Sequence, residues 1–350
     1  MSTPNLQDVA LLKRRLEVAA SIEMTYPDWF MTAYGRPKFV LSEPDVAADI
    51  KREKRHICHI CTGCQKVDSI EEPFKRCGQC LQDYYCSKEC QKLDWPQHKM
   101  RCRQSVRQKR YESIVKAIEA NKECMGYLKI ATILLCKLLD SPDPSKEPFT
   151  CLVHLGIEPT NIIDFARFRG EMGPDNIPDS AEKIKGMVQV NNVGPLPAGL
   201  IDMNPLIGQW KVKKADADAE GFYKDPVGVM IFMLGDPARA GVVSVPVHIT
   251  SLFMDIARKA PPFQQIIGGL SRTMTLDIST CIECINIAIR RDTTNKFLLR
   301  KEMNQDDIKI IKNSTTDEHE DESLGVKLLR GRMVREYIYR VLLGLQVPPE

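Results

Sequence analysis

The clearest pattern of hydrophobic and polar positions lies in the second half of the chain. Two short apolar runs rich in β-branched residues, at 227–234 and 241–249, are separated by the turn-forming sequence GDPARA. This pattern predicts two strands joined by a turn. The segment 249–260 then predicts a helix, and the strongly apolar segment 277–291 is compatible with a helix or with a buried strand.

The end of the chain adds elements of both kinds. The segments 295–303 and 306–313 contain the short apolar runs typical of strands. An amphipathic helix is predicted next, because six apolar residues lie along one helical face: Val326, Leu329, Met333, Tyr337, Val341 and Leu345. This mixture predicts an α+β chain in which residues 149–350 form a mixed α/β domain of unknown role.

Helical periodicity dominates the first half of the chain. Residues 6–24 predict one amphipathic helix, so 1–55 is interpreted as an N-terminal helical segment with a basic lead-in. A second helix is predicted over 106–139. It makes 105–140 a helical connector, which ends at the Pro- and Ser-rich sequence DSPDPSKEP.

Composition limits the class of protein. The chain is 43% hydrophobic and 27% charged, as soluble globular proteins are. Its first residues lack the unbroken apolar core of a secretory signal. The longest apolar run, at 227–234, is far shorter than the roughly 20 residues of a membrane-spanning helix. We therefore expect an intracellular protein, in the nucleus or the cytoplasm, without a membrane span.

Cysteine is the most informative residue type. Eight of the 13 cysteines lie between Cys58 and Cys102, which defines a cysteine-rich segment over 56–104. In a reducing compartment, such clustering indicates metal ligands more than disulfides. Four spaced pairs supply seven thiols and one imidazole: Cys61/Cys64, Cys77/Cys80, Cys86/Cys90 and His98/Cys102.

Eight ligands of these types fit two zinc ions, because zinc prefers four tetrahedral nitrogen and sulfur ligands. A site with four protein ligands is closed to substrate, so both zinc ions are predicted to be structural. A pair separated by two residues forms a tight knuckle, and a pair separated by three shares one helical face. Spacing alone leaves open whether the pairs bind zinc in sequential or interleaved order.

Three motifs in this segment, CTGCQK, FKRCGQC and YYCSKECQKLDWPQHKMRC, resemble the MYND-type zinc finger. The resemblance covers Cys61 to Cys102. It implies an interleaved arrangement of two zinc sites, with these ligands: Cys61, Cys64, Cys86 and Cys90 on one ion, and Cys77, Cys80, His98 and Cys102 on the other. An alternative first pair is Cys58/Cys61, although the spacing to Cys77 that is usual in the family favours Cys61/Cys64.

The resemblance also implies a function, because MYND modules bind partner proteins and several recognise short proline-containing peptides. Gln91 and Trp95 occupy positions that the family uses at the peptide groove. Residues four apart share a helical face, and tryptophan is a frequent interface anchor. The alternative is that Trp95 packs the small core between the zinc sites. We therefore expect a zinc-binding intracellular adaptor that recognises a partner protein and is not an enzyme.

Two other functions compete with this one. Some MYND modules belong to SET-type lysine methyltransferases, but the rest of this chain lacks the Asn-His-Ser-Cys-like run and the trailing cysteine cluster of that domain. The lone pair Cys281/Cys284 lies in an apolar segment and is interpreted as buried core cysteines. The basic run at 98–110 suggests nucleic-acid binding, but no recognition-helix or stacking-aromatic pattern accompanies it.

Overall fold

The computed structural model of this chain describes residues 22–24, 48, 59–69, 71–80, 83–102, 106–171, 183–235, 242–259, 262–267, 270–315 and 322–342. Its helices are α1 (Lys88–Arg101), α2 (Val106–Ala120), α3 (Lys122–Leu135), α4 (Ile162–Phe168), α5 (Met203–Ala219), α6 (Ser251–Lys259), α7 (Ile278–Arg291), α8 (Gln305–Asn313), α9 (Leu324–Arg335) and α10 (Tyr337–Leu342). Its strands are β1 (Ile22–Met24), β2 (Lys75–Arg76), β3 (Tyr84–Tyr85), β4 (Phe149–Pro159), β5 (Lys185–Gly194), β6 (Val227–Leu234), β7 (Val242–His248), β8 (Phe263–Ile267), β9 (Leu270–Met274) and β10 (Arg300–Glu302). The α+β class predicted from the sequence is confirmed, with the cysteine-rich segment followed by a larger domain.

A five-stranded mixed sheet forms the centre of the larger domain, in the order β10-β5-β4-β6-β7. In this sheet β4 and β6 run parallel, and the other neighbouring strands are antiparallel. Strands β1, β8 and β9 form a separate antiparallel sheet. The short strands β2 and β3 pair within the cysteine-rich segment.

Strand β6 is buried on both faces of the central sheet, as its continuous apolar sequence requires. Val229 and Ile231 pack in one cluster with Leu206 of α5. The alternate residues Met230 and Phe232 belong to the main core, which also contains residues of α3 and α7. Strands β6 and β7 and helix α6 confirm the elements predicted for this part of the chain.

The single helix predicted over 106–139 is divided into α2 and α3 at Asn121. The backbone of Asn121 is extended, and its side chain accepts a hydrogen bond from the Cys124 N–H at 3.0 Å. This N-cap begins a new helix. Residues of both helices lie in the main core, so the segment interpreted as a connector packs together with the strands of the larger domain.

The segment 277–291 contains helix α7, which settles the choice between helix and strand. Cys281 and Cys284 are fully buried in it, as predicted. Asn286 joins this helix to β5, because it accepts a hydrogen bond from the Val190 N–H at 2.7 Å and donates to the Val190 carbonyl at 2.9 Å. A polar side chain within an apolar helix thus satisfies strand backbone groups that would otherwise be buried without partners.

The prediction of a strand over 306–313 is wrong, because these residues belong to α8. Asn304 begins the helix with a capping box. Its side chain accepts a hydrogen bond from the Asp307 N–H at 2.9 Å, and the Asp307 carboxylate accepts one from the Asn304 N–H at 2.9 Å. This reciprocal cap stabilises the start of the helix, so the segment is helical despite its strand-like apolar run.

Three other predictions are corrected in part. The strand predicted over 295–303 is limited to β10, because Asn295 and Leu298 have positive φ angles of 60° and 57° in the turn before it. The C-terminal helix is divided into α9 and α10 at Glu336, whose ψ of 133° is extended, and its last predicted residue, Leu345, lies outside the described residues. The helix predicted over 6–24 lies outside the described residues except for its last three, which form β1.

Candidate metal centre

Four thiols converge where the first knuckle meets the start of α1. Cys61 and Cys64 lie before β2, Cys86 directly precedes the N-cap of α1, and Cys90 lies in the first turn of that helix. The four Sγ atoms lie within 4.8 Å of one another, and that of Cys86 is 3.5 Å from Cys64 and 3.4 Å from Cys90. A zinc tetrahedron with Zn–S bonds of about 2.3 Å has edges of about 3.8 Å. This group therefore has the dimensions of a zinc site.

A second group joins three thiols to the imidazole of His98. The His98 Nε2 lies 3.2 Å from the Sγ of Cys77 and 3.7 Å from that of Cys80, and the Sγ atoms of Cys77 and Cys102 are 3.7 Å apart. All four residues are buried. The structure thus brings together the first pair with the third and the second with the fourth, which is the interleaved order implied by the MYND resemblance.

Asp83 lies beside the histidine of the second group. Its Oδ2 is 3.1 Å from the His98 Nδ1, although the direction of approach does not meet hydrogen-bond geometry. Its Oδ1 accepts a hydrogen bond from the Thr62 hydroxyl at 3.2 Å. A carboxylate at this nitrogen favours the tautomer that leaves Nε2 available to a metal. Sequence reasoning does not find Asp83, because its role depends on proximity and not on spacing.

The pKa values of two thiols in the second group are shifted in opposite directions. Burial favours a high pKa for Cys77, but hydrogen bonds from the backbone N–H groups of Cys80 and Gln79 outweigh it and lower the pKa to about 6. Burial and the neighbouring Cys77 raise the pKa of Cys102 to about 12. One thiol therefore ionises readily and the next does not, because like charges repel. A bound Zn²⁺ supplies the positive charge that holds several thiolates together.

The local backbone brings the ligands of the first group together. Ser87 caps α1 by accepting a hydrogen bond from the Cys90 N–H at 3.2 Å. Gly63 lies so close to this helix that a Cβ atom there would be 2.9 Å from the Cys90 carbonyl oxygen. At Gly78, in the second knuckle, nothing lies within 4 Å of such an atom. Gly63 is therefore required for the close approach, and like Asp83 it is a functional residue without a signal in the sequence.

Helix α1 also carries the predicted partner-binding residues. It contains Cys90 of the first group and His98 of the second, so two metal sites would hold it. Trp95 is 42% exposed, and its ring centroid lies 5.7 Å from that of His98. Gln91, one turn earlier, is half-buried. Trp95 therefore contacts the second group and also presents a surface to solvent. Cys58, the alternative ligand, lies outside the described residues.

The larger domain matches a known family. The model of a domain of unknown function, DUF8205, matches residues 107–339, which is more than half of the chain. The chain belongs to the DUF8205 family. Helix α3, all of α2 except its first residue, and the whole central sheet lie within the DUF8205 match.

A second family model, the MYND finger, matches residues 58–102 and confirms the resemblance that the cysteine motifs indicate. MYND fingers are generally protein-interaction modules. Three curated relatives, each an N-lysine methyltransferase SMYD2, are 46% identical over 39 residues in Homo sapiens, 41% over 54 in Mus musculus and 48% over 42 in Gallus gallus. These matches cover 11%, 15% and 12% of the DUF8205 chain. They span 9%, 11% and 9% of the relatives, so the chain matches only about a tenth of their length.

The family match and the two ligand groups together fit two structural zinc ions in the finger of this DUF8205 protein. No solved structure matches the chain. Within the part of the chain that the structure describes, no helix combines the length and apolar character needed to cross a membrane.

Proposed function

We propose that this protein is a zinc-dependent adaptor whose MYND finger binds a short proline-containing segment of a partner protein. The exposed Trp95 on α1 carries the proposal, because it lies between ligands of the two zinc groups. Holding an aromatic residue on a helix that two metal sites anchor reduces the ordering cost of binding. Tryptophan is also prominent among interface anchors, and proline-rich segments dock on aromatic surfaces.

Gln91 supports the same surface. It lies one helical turn before Trp95, so the two side chains share a face. Its amide group has both donors and an acceptor for the backbone of an extended peptide. Three exposed lysines lie along one side of this face on α1: Lys88, Lys92 and Lys99. We therefore expect the partner segment to combine proline with acidic rather than basic flanking residues.

The proposal does not include catalysis. The similarity to N-lysine methyltransferases covers the finger alone, so it supports an interaction role and gives no support to methyl transfer. We also propose an intracellular location. Seven of the described cysteines lie in the two zinc groups, and clustered thiols of this kind indicate metal ligands in a reducing compartment.

Titration of the full zinc-loaded chain with labelled proline-containing peptides tests the proposal. Trp95→Ala removes the anchor, and its matched control is Leu93→Ala, an 80% exposed apolar residue on the same helix. Leu93 lies two positions from both Gln91 and Trp95, which places it on the opposite face. Zinc content is measured for each variant, so that a lost metal is not mistaken for a lost contact.

Trp95→Ala is expected to weaken peptide binding about thirtyfold or more with zinc retained, the effect of removing a hot-spot residue. Leu93→Ala is expected to bind as the unaltered chain does. Equal binding by the Trp95→Ala variant, or equal losses in both variants, would reject this surface. Absence of binding to every peptide would reject the proline-containing ligand.

A further inference from the structure

A cavity of about 210 Å³ lies in the DUF8205 domain, away from the zinc finger. It is formed by the end of β9, the first turns of α7 and the junction of α9 with α10. Four arginines line it: Arg272, Arg332, Arg335 and Arg340. Val334, which is 59% exposed, also lines the cavity, so it opens to solvent.

Arg332 is fully buried, yet its guanidinium is only partly satisfied. Its Nη2 donates to the Tyr339 hydroxyl at 2.9 Å and forms an ion pair with Glu158. Its Nε is 3.7 Å from the nearest oxygen of Glu336, which is longer than a hydrogen bond. Its Nη1 has no hydrogen-bond partner among the described residues. A buried charged donor without an acceptor is costly, and an acceptor bound in the cavity that Arg332 lines would remove that cost.

Arg272 repeats this feature on the other side of the cavity. Its Nη1 is buried and has no hydrogen-bond partner in the described part of the chain. The same nitrogen is 3.7 Å from a carboxylate oxygen of Glu283, again longer than a hydrogen bond. Two arginines from different elements, β9 and α9, thus line one cavity, and each has a buried nitrogen without a hydrogen-bond partner among the described residues.

Two of the acidic side chains that line the cavity, Glu283 and Glu336, form long ion pairs with Arg272 and Arg332, and each of the three also accepts a hydrogen bond from another group. Asp277 accepts a hydrogen bond from the Thr280 N–H at 2.7 Å. Glu336 accepts one from the Asn286 side chain at 2.5 Å. Glu283 accepts one from the Tyr337 N–H at 3.3 Å.

The charge of the lining is positive on balance. Burial, together with the negative charge of Glu336, raises the pKa of Glu283 to about 7. This carboxyl therefore carries less than a full negative charge near neutral pH. Four guanidinium groups face three acidic groups, one of them only partly ionised.

We propose that this cavity binds a phosphate group, either as free phosphate or as the end of a small phosphomonoester. Guanidinium groups match the oxygens of phosphate with paired hydrogen bonds, and a tetrahedral anion accepts donors from several directions. The Ser279 hydroxyl in the first turn of α7 is a further donor in the lining. The volume is below the roughly 300 Å³ of cavities that enclose drug-sized ligands, so only a small group fits inside.

Calorimetric titration of the full zinc-loaded chain tests the proposal. The probes are inorganic phosphate, glycerol phosphate and malonate, each at matched ionic strength with chloride as the background anion. Arg272→Gln and Arg335→Gln remove cavity donors and leave the buried Arg332 in place. The matched control is Arg330→Gln, on the same helix as Arg335, which binds Glu322 and does not line the cavity.

We expect phosphate or glycerol phosphate to bind with one site per chain. Each cavity variant is expected to bind at least tenfold more weakly, as the loss of a charge-assisted hydrogen bond predicts. The control is expected to bind within twofold of the unaltered chain. Tighter binding of glycerol phosphate than of free phosphate would identify a phosphomonoester as the ligand. No binding of either probe, equal weakening by the control, or malonate binding as tight as phosphate would overturn the proposal.

Discussion

Replacing Gly63 with alanine is expected to weaken one zinc site and spare the other. The added Cβ atom would lie 2.9 Å from the carbonyl oxygen and 3.2 Å from the Cβ atom of Cys90. Ordinary contacts of a Cβ atom begin near 3.4 Å, so the backbone of a zinc ligand has to move by about half an ångström. Overpacking of this kind costs about 1–3 kcal/mol. If the whole cost falls on metal binding, the first site loses roughly 5- to 150-fold in zinc affinity.

The assay is zinc release from the full chain to a chelator of known affinity, followed with a zinc-sensitive dye. Gly63→Ala is expected to release one zinc equivalent at lower chelator concentration, with the second released as in the unaltered chain. Gly78→Ala is the matched control, since it adds the same methyl group in the second knuckle with nothing within 4 Å. Unchanged release by Gly63→Ala, or the same early release by Gly78→Ala, would refute the reasoning.

Two glycines of the larger domain, the buried Glu283 and the alternative ligand Cys58 give three further predictions. Gly228→Ala is expected to lower the free energy of unfolding by about 3 kcal/mol or more, because the added Cβ would lie 2.2 Å from the carbonyl oxygen of Phe149 in the neighbouring strand. Gly331→Ala, in an open helical position, is expected to raise the free energy of unfolding by about 0.5–1 kcal/mol. Urea unfolding of both variants checks the two signs. The pKa of Glu283 is raised from 4.5 in the unfolded chain to about 7 in the fold. The protonated side chain therefore contributes stability that is fully present below pH 4.5 and is lost as the pH rises through about 7. From pH 5.5 to 8 the unaltered chain should therefore lose about 2 kcal/mol relative to Glu283→Gln in urea unfolding, and parallel curves would contradict this. Cys58→Ala is expected to retain two zinc ions by elemental analysis, and loss of one would make Cys58 a ligand.

The metal centre could be predicted from the sequence because zinc ligation depends on residue type and spacing. The eight residues that the structure groups are those named from the cysteine pairs. The interleaved order came from the family resemblance, since spacing alone is compatible with either order. Asp83 and Gly63 were not accessible, because their contacts with His98 and Cys90 exist only after distant segments have folded together.

The central strands β4 and β5 could not be predicted from the hydrophobic pattern. Strand β5 buries Gln189 and Asn191 within the sheet, so its sequence lacks the continuous apolar run by which β6 is predicted. The strand predicted over 306–313, where the structure has helix α8, failed for the opposite reason. Its short sequence has a strand-like apolar run, and the capping box between Asn304 and Asp307 determines its conformation. Tertiary packing and single cap residues thus outweighed the local pattern.

The central claim is that metal-held geometry of the finger creates the partner-binding surface. The measurement that tests it most directly is binding of one proline-containing peptide to the full chain before zinc removal, after chelation, and after reloading with two equivalents of zinc. Binding is expected to be lost with the metal and restored on reloading, because small zinc modules fold only with metal bound. Equal binding by the zinc-free chain would contradict it.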